Sequence, residues 1–121
     1  MSKTVLAVDD STSMRQLVRF TLDNAGYNVL EAADGRDALQ KLTTEPVDFV
    51  VTDLNMPNMD GIELIRQVRA NPNHKYLPIL MVTTESQADR KVAGKEAGAT
   101  GWIVKPFHCD QLVALVNRLM R

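Results

Sequence analysis

The sequence predicts one α/β domain: a parallel sheet with helices on both faces. Five short apolar runs recur along the chain, four of them continuously apolar rather than alternating, as strands covered on both faces require. Between the runs, apolar residues return at three- and four-residue spacing, the period of a helix with one buried face. No linker or low-complexity segment interrupts this alternation in 121 residues, a length that suits a single domain.

The first strand is Val5-Leu6-Ala7-Val8, closed by Asp9-Asp10. The helix after it carries Met14, Leu17, Val18, Thr21, Leu22 and Ala25, with Ser11 or Ser13 as N-cap and Gly26 as its stop. A weaker strand follows at Asn28-Val29-Leu30, then a helix capped by Asp34 and carrying Ala38, Leu39 and Leu42. The third strand, Phe49-Val50-Val51, runs toward Asp53. Its helix carries Ile62, Ile65, Val68 and Arg69 and ends near Asn71-Pro72. The fourth strand, Ile79-Leu80-Met81-Val82, meets Thr83. The helix expected from about Ser86 to Ala97 stops at Gly98, and Ala88, Val92, Ala93, Gly94 and Ala97 give it little apolar bulk. Two readings stand: a loosely held helix that moves, or a small-residue helix lying close to the sheet. The fifth strand, Trp102-Ile103-Val104, ends at Lys105, and the last helix uses Leu112, Leu115, Val116 and Leu119. Right-handed crossovers then place helices on both faces.

Composition narrows the function classes. Apolar residues make up 45% and charged residues 24%, as in ordinary soluble domains. With 14 basic against 15 acidic residues, the balance does not point to a nucleic-acid or anionic-membrane partner, since both require a clustered basic surface. Cys109 is the single cysteine, so no internal disulfide can form, which fits a reducing compartment. The apolar run Val5–Val8 is too short for a signal peptide, and no stretch approaches the length of a bilayer span. A cytoplasmic protein is expected.

Chemistry gathers where the strands end. In an open parallel sheet, ligands bind beyond the carboxyl ends of the strands. Asp9-Asp10, Asp53, Thr83 and Lys105 close four separate apolar runs and should converge on one edge. Two carboxylates about 4 Å apart repel by roughly 4 kcal/mol at an effective dielectric of 20. Three in one cleft therefore need cations, or one must take up a proton. Lys105 supplies one charge, and Mg²⁺ suits the rest: a few carboxylates, waters and a phosphoryl oxygen. No His or Cys joins the set, which argues against zinc. His74 and His108 fall in predicted loops as bystanders.

Together, Asp9-Asp10, the segment Asp53-Leu54-Asn55-Met56-Pro57-Asn58-Met59-Asp60-Gly61, Val82-Thr83-Thr84-Glu85 and Lys105-Pro106-Phe107 resemble the motifs of two-component response-regulator receiver domains. The match runs in order along the whole chain and is nearest the CheY-type chemotaxis members, so a receiver domain over 1–121 with no output domain is expected. The resemblance implies a flavodoxin-like, doubly wound fold with five strands in the order 2-1-3-4-5 and five helices. It implies that Asp53 accepts a phosphoryl group from the phosphohistidine of a sensor histidine kinase, with Thr83 and Lys105 binding phosphoryl oxygens. Asp9, Asp10, Asp53 and the backbone carbonyl of Asn55 would hold Mg²⁺. Lys105-Pro106 would be cis. Asn55 and Glu85 would tune the lifetime of the acyl phosphate, and Trp102 stands where the family often has a switch Tyr or Phe.

The same resemblance implies a monomer whose output comes from binding another protein, the flagellar motor switch, through the fourth helix, fifth strand and fifth helix around Trp102. A phosphatase is a further partner. Trp102 has no hydroxyl, and that keeps open a phosphorelay, cell-cycle or pilus circuit. It can also be read simply as an anchor between the last strand and a helix. A flavodoxin-type flavin site is disfavoured, because the loop after the first strand has two carboxylates and no glycine before Gly26. A phosphohydrolase wants a second acid two residues after its nucleophile, and Asn55 occupies that place. The chain is therefore expected to be an acceptor with slow self-dephosphorylation, not a turnover enzyme.

Overall fold

The computed structural model of the chain describes residues 3–84 and 88–120. Strands β1 (Thr4–Val8), β2 (Asn28–Ala32), β3 (Phe49–Asp53), β4 (Ile79–Thr84) and β5 (Gly101–Lys105) alternate with helices α1 (Thr12–Asn24), α2 (Gly35–Thr44), α3 (Gly61–Ala70), α4 (Ala88–Ala97) and α5 (Cys109–Leu119). All strand pairs are parallel, in the order β2-β1-β3-β4-β5. This is the expected doubly wound fold.

Continuous apolar strands become two cores because successive side chains point to opposite faces. On one face Leu6, Val8, Val50, Ile79 and Met81 pack with Ala38 and Leu42 of α2 and Ile62, Ile65 and Val68 of α3. On the other, Val5, Ala7, Phe49, Val51, Leu80, Val82 and Ile103 pack with Val18 and Leu22 of α1 and Leu112 and Val116 of α5. Burying each large side chain in these layers contributes about 1.5–3 kcal/mol before entropy is charged against it. Leu64 of α3 is also buried, a core position the helical spacing had not singled out.

The helix ends follow local chemistry. Ser11, not Ser13, caps α1, its hydroxyl accepting from the Met14 N–H. Asp34 caps α2 through the Asp37 N–H, and Asp60 caps α3 through the Glu63 N–H. Gly26 and Gly98 end α1 and α4 at φ of +98° and +116°, where a β-carbon is strained. Of the two histidines, His108 lies in the loop after β5 as expected, whereas His74 belongs to a short helical turn. His74 closes a 3₁₀ turn, Pro72–His74, and His108 is the N-cap of α5, its N–H donating to the Gln111 side chain.

The fourth helix lies close to the sheet. A β-carbon on Gly94 would stand 2.0 Å from Sδ of Met81 in β4, so the small residues permit a near approach. The expected start of this helix at Ser86 lies outside the described residues.

Candidate functional site at the carboxyl edge of the sheet

Parallel register explains why distant residues meet. Val8 pairs with Thr52, which brings Asp9 level with Asp53. Asp53 pairs with Val82, and Thr84 pairs with Lys105, so β4 and β5 deliver Thr83 and the Lys105 side chain to the same edge. Carboxylate oxygens of Asp9, Asp10 and Asp53 all lie within 4.8 Å of one another. Lys105 Nζ is 3.3 Å from Asp53 Oδ1 and 4.0 Å from Asp9 Oδ2.

Burial gives this edge its electrostatic character. Asp53 is 7% exposed and Asp9 4%, whereas Asp10 is open to solvent. Burial pushes the Asp53 carboxyl above its ordinary range against the opposing pull of Lys105. Burial likewise raises Asp9, more than the Ser11 N–H bonded to its carboxylate lowers it. One lysine does not fully offset what the desolvated acids have lost.

Thr83 is fully buried, and its Oγ1 has no hydrogen-bond partner among the described residues. An orphaned buried hydroxyl carries a cost of about 1–3 kcal/mol, so a ligand oxygen that reaches it recovers stability. The donor set beside it is all oxygen, the choice of a hard divalent cation such as Mg²⁺, and the carboxylates want the charge. The residues present fit that ion.

The backbone is fixed as closely as the side chains. Gly61 opens α3 against the end of β3, donating its N–H to Leu54 O at 2.9 Å, and a β-carbon there would stand 2.3 Å from the Asp53 carbonyl oxygen. Lys105-Pro106 is cis.

Residues 5–117 match the family described as the response regulator receiver domain. The chain belongs to that family. Among its relatives, this receiver is 42% identical to the chemotaxis protein CheY of Pseudomonas aeruginosa over 95% of its own length and 94% of the relative's. It is 45% identical to CheY-3 of Vibrio cholerae over 95% of its length and 89% of that protein's. The solved structure of the chemotaxis response regulator CheY4 of Vibrio cholerae superposes with a TM-score of 0.93 at 48% identity, covering 98% of this receiver and 99% of that chain.

Of the residues singled out from sequence, Asp9, Asp10, Asp53 and Lys105 come together, with Thr83 on the adjoining strand end. Asn55 is exposed in the loop after β3. Glu85 lies outside the described residues. Trp102 is 43% exposed on β5, beside a shallow cavity of about 240 Å³ lined by Thr100, Gly101, Leu115, Arg118 and Leu119. Cys109 is exposed, and Thr21 Oγ1 donates to its Sγ at 3.3 Å. Two participants were not read as such from sequence. Asp60 both caps α3 and pairs with Arg90 of α4, 3.0 Å away; an Asp with Glu three residues on, before an apolar run, would have signalled the cap. Arg15 reaches the main chain of Asp9 from α1, and no local pattern announces it. No helix among the described residues is long and apolar enough to cross a membrane.

Proposed function

We propose that the chain is a phosphorylation switch in which Asp53 accepts a phosphoryl group from the phosphohistidine of a sensor histidine kinase. The supporting observation is the buried Asp53 carboxylate, 3.3 Å from Lys105 Nζ, beside the carboxylates of Asp9 and Asp10. In the transfer, an Asp53 carboxylate oxygen forms the new O–P bond as the donor's N–P bond breaks. The imidazole leaves with that electron pair and is protonated from solvent. Phosphoryl transfer asks a protein mainly for alignment and for neutralisation of the equatorial oxygens. Lys105 pairs with one of these oxygens, and the buried Thr83 hydroxyl, without a partner among the described residues, donates to another. Asp9, Asp10, Asp53 and the Asn55 backbone carbonyl would hold Mg²⁺, which when bound would supply further charge neutralisation.

The new dianion draws Thr83 toward the edge and biases α4, the helix that follows β4. The phosphorylated form then binds an output partner through α4, β5 and α5 around Trp102. The names of the relatives, chemotaxis proteins, support the flagellar motor switch as that partner and a chemotaxis-type kinase as the donor. The protein works in the cytoplasm as an acceptor that slowly hydrolyses its own acyl phosphate. Turnover of free phosphomonoesters is not part of this reading, because Asn55 cannot act as the second acid.

Trp102 is the lone tryptophan and reports directly. Adding Mg²⁺ and then a phosphoryl mimic should change its fluorescence in two steps, and Asp53→Asn should abolish the second. A full second step in that variant would move the acceptor elsewhere.

A further inference from the structure

Arg15 approaches the acidic edge from behind. Its Nη1 donates to the backbone carbonyl of Asp9 at 2.7 Å, while its Nε pairs with Glu31 Oε1 of β2 at 2.9 Å. Glu31 is itself held from its other oxygen by Arg19 Nη1 at 2.6 Å. The Arg15 side chain is 16% exposed, so this fork is largely withdrawn from water. The Asp9 N–H donates to Ala32 O at 3.1 Å, and the Asp9 carboxylate accepts from the Ser11 N–H at 2.9 Å. Every polar group of Asp9 therefore has a fixed partner, and the carbonyl's partner is Arg15.

That carbonyl belongs to the peptide joining Asp9 to Asp10. Its direction sets the plane of the peptide, and with it where the Asp10 α-carbon and carboxylate project. Asp10 is exposed, yet its carboxylate lies within 4.8 Å of the other two. We propose that Arg15, anchored by Glu31, is a positioning residue for the divalent-cation site: it sets the Asp9–Asp10 peptide and thereby the placement of the Asp10 carboxylate. The inference rests on the metal-binding reading given above. The route runs from α1 and β2, and the Arg15 guanidinium pairs with Glu31 rather than with the acids.

Two ions separate positioning from charge. Removing a nearby cation acts through space by strengthening cation binding, whatever the ion. Loss of positioning weakens it, and selectively. Mg²⁺ demands near-ideal octahedral geometry, whereas Ca²⁺ accepts irregular oxygen sets.

The experiment is calorimetric titration of the metal-free protein with Mg²⁺ and with Ca²⁺, alongside thermal unfolding. Arg15→Ala should lower Mg²⁺ affinity about tenfold, the size expected when a group that orients a ligand is removed, and change Ca²⁺ affinity far less. Glu31→Gln should act in the same direction, and combining the two substitutions should add little. Arg15→Lys, which can reach the carbonyl but cannot fork to Glu31, should fall between. A lower unfolding temperature with Mg²⁺ affinity unchanged or raised would overturn the proposal and leave the metal site standing. Should Arg15→Ala not fold, Arg15→Lys and Glu31→Gln decide by the same criterion. Absence of Mg²⁺ binding by the unsubstituted protein would overturn the metal reading and this inference together.

Discussion

Lys105 Nζ stands 3.3 Å from Asp53 Oδ1, the ammonium coming from the last residue of β5 and the carboxylate from the last residue of β3. The pair spans β4, so neither partner is a neighbour of the other in the sheet. Lys105→Met removes the cation and leaves two buried carboxylates facing each other. The metal-free variant should lose about 1–3 kcal/mol, the cost of a buried group left without its partner. Added Mg²⁺ should raise its unfolding midpoint by more than it raises that of the unsubstituted protein. Denaturant titration with and without Mg²⁺ checks both statements.

Asp53→Asn should stabilise the metal-free protein at neutral pH. Burial holds the Asp53 carboxyl above its ordinary value of 3.8, so ionisation is harder in the folded chain than in the unfolded one. Its favourable contribution is complete below the ordinary value and disappears as pH rises through the raised one. Glu31 has the opposite sign. The Arg19 hydrogen bond, the largest of its influences, lowers its pKa below 4.5, so its contribution is present above 4.5 and is lost as pH falls through the lowered value. Stability should therefore decline less as pH rises above 3.8 in Asp53→Asn, with Asp9, also raised by burial, still contributing, while the acid limb is kept. An unchanged profile would show that Asp53 is not desolvated in solution.

Most of the fold was legible because the sequence carries its causes locally. Continuous apolar runs gave β1, β3, β4 and β5, and Asp34, Gly26 and Gly98 gave helix boundaries. The strand-end rule gathered Asp9, Asp10, Asp53 and Lys105 before any contact was visible. The strand order came from family resemblance, since periodicity does not encode which strands neighbour each other. What stayed hidden depends on tertiary contact. Arg15 on α1 reads as one more surface arginine until the β1–β2 register brings Glu31 opposite Ala7. Gly94 reads as a weak helix position until Met81 is found beneath it.

Gly61→Ala tests how tightly α3 is seated against Asp53. A β-carbon at 2.3 Å from the Asp53 carbonyl oxygen meets main chain, which cannot rotate away as a side chain can. Helix propensity alone favours alanine by up to about 1 kcal/mol, so an isolated helix would gain. Overpacking against backbone costs about 1–3 kcal/mol and should reverse the sign. The variant should be less stable, and phosphorylation by a small-molecule phosphodonor should slow, because relief of the clash moves Asp53 itself. A stabilised variant with an unchanged rate would show that the seat is loose.

Arg90 Nη2 donates to Asp60 Oδ2 at 3.0 Å, while Asp60 Oδ1 accepts from the Glu63 N–H at the start of α3. One carboxylate thus caps α3 and ties α4 to it. The ion pair is partly exposed, so its energy is small, about 0.2–1 kcal/mol. Its effect should be local rather than global. Arg90→Ala should lower the unfolding midpoint by no more than a few degrees, the shift that about 1 kcal/mol gives in a domain of this size. Hydrogen exchange in α4 should accelerate several-fold, because that helix buries little apolar bulk and depends more on such ties. Asp60→Asn separates the two roles: the amide oxygen can still cap α3, but the ion pair with Arg90 is gone. It should reproduce the faster exchange in α4 with little change in α3. Equal acceleration in both helices would mean that the cap, not the ion pair, is what Asp60 contributes.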